Sequence, residues 1–267
     1  MDISTLCDKI NLQPEIKYRV LEFANSFDFS SVDKQLKDFR NYEKMDKALK
    51  ELQEILNDDD YNIKTLTCML KASADIYELY KEKNISDKIY FETMKCYTRF
   101  IDEAYKMFGI FYFNRYFWTM RQAGFHLFRI GELEYDIENT DGVIKIGIHV
   151  PSDADFSPEA VDISIKDAKE FFKQYFPETE NADYYCQSWL MDSQLENMLD
   201  SSSNILNFQK RFDIVDKGEI TEDHIGWVFL SVTNDYSSLP ENTSLQKKMK
   251  KHILSGGIIR DACGKLK

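Results

Sequence analysis

Basic charge is scarce in this 267-residue chain, where 34 Lys and Arg stand against 46 Asp and Glu for a formal net charge of -12. Nucleic acid and anionic membrane surfaces recruit clustered Lys and Arg, so both are disfavoured as partners. The one dense basic stretch, Lys247, Lys248, Lys250 and Lys251, falls on an expected C-terminal helix and reads as a solvated face. Cysteine is sparse too. The five present, Cys7, Cys68, Cys96, Cys186 and Cys263, are odd in number and scattered, with no CxxC pair and no Cys/His cluster at metal-binding spacing. No metal site is expected, and reduced thiols fit the cytoplasm. No apolar run approaches the roughly 18 residues a spanning helix needs. Met1-Asp2-Ile3-Ser4 has neither a basic nor an apolar signal region, so secretion is not expected either.

Helix breakers are rarer still over the first part of the chain. From Pro14 to Gly109 those two residues, at the ends of the stretch, are its only Pro and Gly, while apolar residues recur at three- and four-residue steps. Ile63, Leu66, Leu70, Ala74 and Tyr77 form one helical stripe, and Ile89, Thr93, Cys96, Phe100, Ala104 and Phe108 form another. Ser86 ahead of Asp87 marks a helix start, and Asn57-Asp58-Asp59-Asp60 breaks the preceding helix. Cys68 and Cys96 lie on or near the buried stripes and read as inert core thiols. An all-helical N-terminal domain is therefore expected over residues 1–115. It offers no chemistry of its own, and no internal repeat is apparent.

What is plentiful is large apolar surface: hydrophobic residues make up 43% and aromatic residues 14% of the chain, enough to bury a substantial core. After Trp118 the period changes. Gly131 to Ile137 alternates apolar with acidic or small residues, Asn139-Thr140-Asp141-Gly142 is a turn, and Val143 to Val150 is a second strand, so a hairpin is expected. Pro151 ends it. Ser164-Ile165-Lys166-Asp167 resembles a capping box ahead of a helix closed by Pro177. Further expectations are a strand over Tyr184–Met191, a helix over Asn204–Phe212 and a strand over Gly226–Val232, in the order β-β-α-β-α-β.

Within that order several runs carry a resemblance. They are Phe128-Arg129-Ile130-Gly131-Glu132-Leu133, Ile148-His149-Val150-Pro151, Cys186-Gln187-Ser188-Trp189-Leu190-Met191-Asp192, Ser203-Asn204-Ile205, and Leu239-Pro240-Glu241-Asn242-Thr243-Ser244-Leu245-Gln246. Together they resemble the GNAT-like C-terminal domain of a bacterial acyltransferase family that carries a helical N-terminal domain. The resemblance implies an α+β protein whose second domain, residues 116–267, has a central, largely antiparallel sheet. It also implies transfer of an acyl group from a thioester donor such as acyl-CoA to an amine or similar small acceptor. The donor would be a co-substrate, and no cofactor is expected to be bound tightly.

Two parts of that pattern are missing. The superfamily grips the donor's pyrophosphate on a Gly-rich loop after the strand corresponding to Val143–Val150. Here the loop, from Pro151 to Glu159, has no Gly and carries Asp153, Asp155 and Glu159, which would repel a diphosphate. An Asn after the next strand is often followed seven or eight residues later by a Tyr that protonates the leaving thiolate. Asn204 matches the first, but Arg211 and Phe212 occupy the Tyr region, and Phe cannot donate a proton.

His149 lies on the strand face opposite Ile144, Ile146, Ile148 and Val150, and is the candidate base; the plain alternative is a strand-end histidine bonded to backbone. Gly147 beside it either permits close approach of a ligand or marks a bulge. Cys186, Ser188 and Asp192 alternate, which would set a thiol, a hydroxyl and a carboxylate in a row on one strand face. Asn204 and Ser188 complete the candidate catalytic set, with Cys186, Asp192, Trp189 and Ser152 as candidate substrate contacts. Trp189 and Trp118 also suit packing, Asp223-His224 suits a turn, and Ser255-Gly256-Gly257 suits a helix end. Two rival readings remain open: a non-catalytic binding or interaction module on a degenerate fold, and hydrolysis by Cys186 or Ser188 with His149 as base.

Overall fold

The structure is a computed structural model that describes all residues 1–267. Six strands form one largely antiparallel sheet of order β1-β2-β3-β4-β6-β5. The strands are β1 (Leu127–Ile130), β2 (Leu133–Thr140), β3 (Val143–His149), β4 (Asp183–Ser188), β5 (Phe212–Asp216) and β6 (Ala262–Leu266). The chain divides into two compact units. One comprises residues 1–130, 134–144 and 174–177, and the other residues 131–133, 145–173 and 178–267.

Eight helices make up most of the first unit: α1 (Ile3–Lys9), α2 (Pro14–Ser26), α3 (Asp33–Asp38), α4 (Met45–Leu56), α5 (Ile63–Glu82), α6 (Asp87–Met94), α7 (Cys96–Phe108) and α8 (Tyr116–Ala123). The helix starts are chemical. Ser86 accepts a hydrogen bond from the Ile89 N–H ahead of α6. The Asp59 carboxylate accepts from the Lys64 and Thr65 N–H groups at 2.7 Å each, satisfying two of the free donors at the start of α5. Helix α5 is buried on most of its circumference, so it is the central helix around which the others pack. The stripe that begins at Ile89 is split, since α6 ends at Met94 and α7 starts at Cys96.

Buried tyrosines fill this core and find partners for their hydroxyls. Tyr97 Oη lies 2.7 Å from Ser73 Oγ, and Tyr90 donates to the Ser73 carbonyl at 3.0 Å. Cys68 and Cys96 are fully buried. Burial pushes the Cys68 thiol up to about 12 and Cys96 further still, so neither is a nucleophile at neutral pH.

The second unit holds all but the last two residues of α9 (Pro158–Tyr175), together with α10 (Asn204–Gln209), α11 (Asp223–Phe229), α12 (Ser244–Leu254), β3 from Lys145 onward and strands β4 to β6. Val161, Ile165, Ala168, Phe171 and Phe172 form the buried face of α9, and Phe172 meets Tyr184 of β4 edge-on. A second cluster, Leu195, Leu206, Ile225, Phe229, Leu239, Met249 and Ile259, joins α10, α11 and α12. Thr243 and Gln246 close a reciprocal capping box at the start of α12, with both hydrogen bonds present.

Several expectations for this half need correction. Gly226–Val232 is not a strand: residues 223–229 are helical, because Ile225 and Phe229, four apart, both bury against Leu206 and Met249. Asp223-His224 is accordingly the first turn of α11. Ser164 does not cap a helix. Helix α9 begins six residues earlier at Pro158, whose missing N–H suits a first turn. Ser164 is fully buried, and its Oγ accepts from the Leu133 N–H at 3.2 Å. The neighbouring Gly131 turns at φ +61°, and a Cβ there would crowd Ser164. The strand expected to reach Met191 stops at Ser188, and the helix expected to reach Phe212 stops at Gln209, leaving Phe212 to open β5.

Candidate active site

Strands β3 and β4 are parallel, paired as Lys145 with Asp183, Ile146 with Tyr184 and Gly147 with Tyr185. The pairing ends there. Yet β3 runs on to His149 and β4 to Ser188, and over Tyr185–Ser188 the ladder partner of β4 is β6. Two parallel strands that stop pairing while both continue present facing backbone edges that can hydrogen-bond an extended ligand.

Register sorts the side chains. Residues paired across a sheet share a face, so Ile146, Ile148, Tyr184, Cys186 and Ser188 lie on the face that α9 covers. Lys145, Gly147 and His149 lie on the other, together with Asp183, Tyr185 and Gln187 of β4 and Cys263 and Lys265 of β6. Three contacts order this second face: Lys145 Nζ sits 5.1 Å from the Tyr185 ring centre, Lys265 pairs with Asp183 at 2.7 Å, and Gln187 Nε2 donates to Asp261 Oδ2 at 2.9 Å.

The sequence candidates divide along that line. His149 is half-buried at the end of β3, on the open face. Cys186 and Ser188 are on the covered face, which corrects the idea of a Cys or Ser nucleophile served by His149, since the sheet separates them. Cys186 is 1% exposed, and burial drives its thiol far above the usual range. Ser188 Oγ accepts from the Leu190 N–H at 3.2 Å. The row of Cys186, Ser188 and Asp192 does not form either, because the chain leaves the strand at Trp189 in a tight helical turn.

Asp192, 3% exposed, accepts from the backbone N–H groups of Gln194 at 2.9 Å and Arg260 at 2.6 Å. Trp189 packs against the Leu195–Met249 cluster. Asn204 is exposed at the first position of α10, and Ser152 is exposed in the loop after β3.

Sequence reasoning missed Asp261 and the role of Gln187. Burial raises the Asp261 carboxyl above its usual range; the Gln187 hydrogen bond opposes that rise, and the nearby Asp223 adds to it. No motif marks Asp261. Alternation along β4 sets Gln187 opposite Cys186 and Ser188, and the β3–β4 register then brings it to the His149 face.

The loop from Val150 to Ser157 is where a donor's diphosphate would lie in this class of fold, and three of its N–H groups are engaged within the protein. Ala154 N–H donates to the Pro151 carbonyl, Asp155 N–H to Glu132 Oε2 at 2.8 Å, and Ser157 N–H to Asp155 Oδ1 at 3.0 Å, while Pro158 has no N–H. Phe156 anchors the loop by packing on Phe208 at 4.9 Å between ring centres. Arg211, where a Tyr was sought, donates to Asp162 Oδ1 at 2.6 Å and to the Pro158 carbonyl at 2.9 Å. The loop therefore does not supply a glycine-rich diphosphate cradle.

A splayed parallel pair inside a largely antiparallel sheet, followed by a long helix and a ligand loop, defines an acetyltransferase-type fold. The chain belongs to the family defined by the GNAT-like C-terminal domain, whose model matches residues 127–266, and the N-acyltransferase N-terminal domain matches residues 1–124. Among solved structures it is similar to an acyltransferase in complex with decanoyl-CoA and teicoplanin (TM-score 0.79, 20% identity, covering 98% of this chain and 86% of that one). It is also similar to an acyltransferase in complex with decanoyl-CoA (TM-score 0.74, 17% identity, covering 100% and 99%). A third is an acyltransferase in complex with CoA and 10C-teicoplanin (TM-score 0.73, 20% identity, covering 100% and 99%). No curated protein matches the chain by sequence. No helix is long and apolar enough to cross a membrane.

Proposed function

We propose that this protein transfers an acyl group from acyl-CoA to the amine, or a similar nucleophile, of a small acceptor, with His149 as the general base. The observation that carries the proposal is the parting of β3 and β4 beyond Gly147 and Tyr185, with His149 on the open face at the edge of the gap. The donor's amide-bearing arm would hydrogen-bond to the strand edges there. As the acceptor nitrogen attacks the thioester carbon, the N–C bond forms, the amine proton passes to the His149 imidazole, and the C–S bond breaks. The thiolate then takes up that proton from the imidazolium, which restores the neutral base. Gln187 lies on the same face as His149 and holds Asp261, a carboxyl whose raised range suits proton handling. Asn204, as an exposed amide on the first turn of α10, remains a candidate for orienting groups, and Ser152 for contact with the donor.

Two of the solved neighbours hold decanoyl-CoA, one of them together with teicoplanin, and a third holds CoA with 10C-teicoplanin, which favours a medium-chain donor for this chain as well. Five free cysteines, four of them buried, suit a cytoplasmic setting. The test is release of free CoA from acetyl-, octanoyl- and decanoyl-CoA in the presence of a panel of amines, followed with a thiol reagent. Amine-dependent release that His149→Ala abolishes supports the reading. Absence of binding to every acyl-CoA at millimolar concentration overturns it and leaves a non-catalytic binding module.

A further inference from the structure

Away from the face that carries His149, the second unit contains a cavity of about 210 Å³ between the turn after β4 and strands β5 and β6. Its apolar lining is the buried Met191 and Ala262 with the more exposed Ile214, and Lys217 and Arg260 line it as well. Neither cation has a carboxylate partner, in a chain with twelve more acidic than basic residues.

The rim is held in place. Arg260 Nη1 donates to the Gly218 carbonyl at 3.0 Å, and Gly218 N–H donates to Asp216 Oδ1 at 3.0 Å. Gly218 has φ +62°, and a Cβ on it would collide with the Asp261 carbonyl, so the loop that carries Lys217 closes down on β6 only because this residue is glycine. Asp192 also lines the cavity, but both its oxygens accept backbone N–H groups, from Gln194 and from Arg260 itself. The three charged side chains therefore sum to +1. Arg260 keeps the guanidinium donors not committed to Gly218, a planar fork suited to two oxygens.

We propose that this cavity binds a small oxyanion with a short apolar tail, a short aliphatic carboxylate, with Arg260 and Lys217 on the charged group and Met191, Ile214 and Ala262 around the chain. The cavity volume suits a tail of a few carbons and excludes a medium-chain acyl-CoA. The site lies on the face of the sheet opposite His149 and stands independently of the proposed acyl transfer.

The test uses the full chain with methyl-labelled Met, Ile and Ala, titrated by NMR with butyrate, with its uncharged isostere butyramide, and with inorganic phosphate. Butyrate should shift the Met191, Ile214 and Ala262 methyl resonances with saturation in the millimolar range, and butyramide should not. Phosphate shifting only residues near Arg260 would support the charged half of the site.

Arg260→Met should weaken butyrate binding at least roughly tenfold, the loss of one charge-assisted contact. Ala262→Leu, which fills the cavity without touching a charge, should abolish binding while leaving the spectrum of the His149 face unchanged. Equal shifts with butyrate and butyramide, no saturable shift of the three methyl groups, or butyrate affinity unchanged in both variants would overturn the proposal.

Discussion

Arg99 Nη2, on α7, donates to Glu134 Oε1 of β2 at 2.6 Å, with the two side chains only 9% and 3% exposed. The pair ties the helical part of the first unit to its strand, and Glu103 adds a longer contact to Arg99 at 3.8 Å. Two charges at that depth are stable because each answers the other; either one alone would carry its full desolvation cost. Arg99→Met should therefore destabilise the fold by about 3–5 kcal/mol. Adding Glu134→Gln should recover part of the loss, because the orphaned charge is gone. Urea unfolding of the two variants measures both, and a loss under about 1 kcal/mol in the single variant would show the pair to be solvated rather than buried.

The helical unit was legible because its local and tertiary signals agree. The Ser86 cap, the Asp59 break and the stripe from Ile63 to Tyr77 all point the same way, and packing then agrees with periodicity. In the second unit they compete. The run from Gly226 to Val232 is rich in β-branched and aromatic residues, but the four-residue spacing of Ile225 and Phe229 toward Met249 prevailed. Ser164-Ile165-Lys166-Asp167 has the spelling of a helix start and lies in the middle of α9, because a buried serine can serve a distant backbone N–H as readily as a local one.

For the site, the alternation along β3 placed His149 correctly opposite Ile148. The same logic failed on β4, where it was carried past Ser188 into a turn. The Gln187–Asp261 pair was beyond reach because 74 residues separate its partners and only the β4–β6 pairing brings them together.

His149→Gln keeps a polar side chain at the end of β3 and removes the base. Turnover with an acyl-CoA and a saturating amine should fall at least about 100-fold, while the KM for the donor changes little. The rate–pH profile should also lose its low-pH limb. A variant that loses donor affinity and keeps its kcat would reassign His149 to binding.

The engaged loop after β3 makes a prediction about the donor itself. With the Ala154, Asp155 and Ser157 N–H groups already bonded, and Asp155 and Glu159 adding negative charge, the diphosphate should contribute little to binding. Acyl-pantetheine should therefore bind within about tenfold of the matching acyl-CoA, a difference under roughly 1.4 kcal/mol. Calorimetry with decanoyl-CoA and decanoyl-pantetheine makes the comparison. A preference of a thousandfold for the CoA form would mean that the loop rearranges to grip the nucleotide.

Asp261 links the site to stability. Its carboxyl titrates above the ordinary range in the folded protein because burial disfavours the charged form, more than the Gln187 hydrogen bond favours it. A raised acid binds its proton more tightly folded than unfolded, so the stability it contributes is full at low pH and is lost as pH rises through the folded-state range. Asp261→Asn keeps an oxygen to accept from Gln187 Nε2 and removes the charge. The variant should be more stable than the parent at pH 7, and the gap should close as the pH falls below the unfolded carboxylate range near roughly 3.9. Thermal unfolding of both proteins across that window reads the sign directly. A variant less stable than the parent at pH 7, with the difference widening as pH rises, would mean that the charged carboxylate is favoured in the fold, by its hydrogen bond to Gln187 or by another donor on the open face.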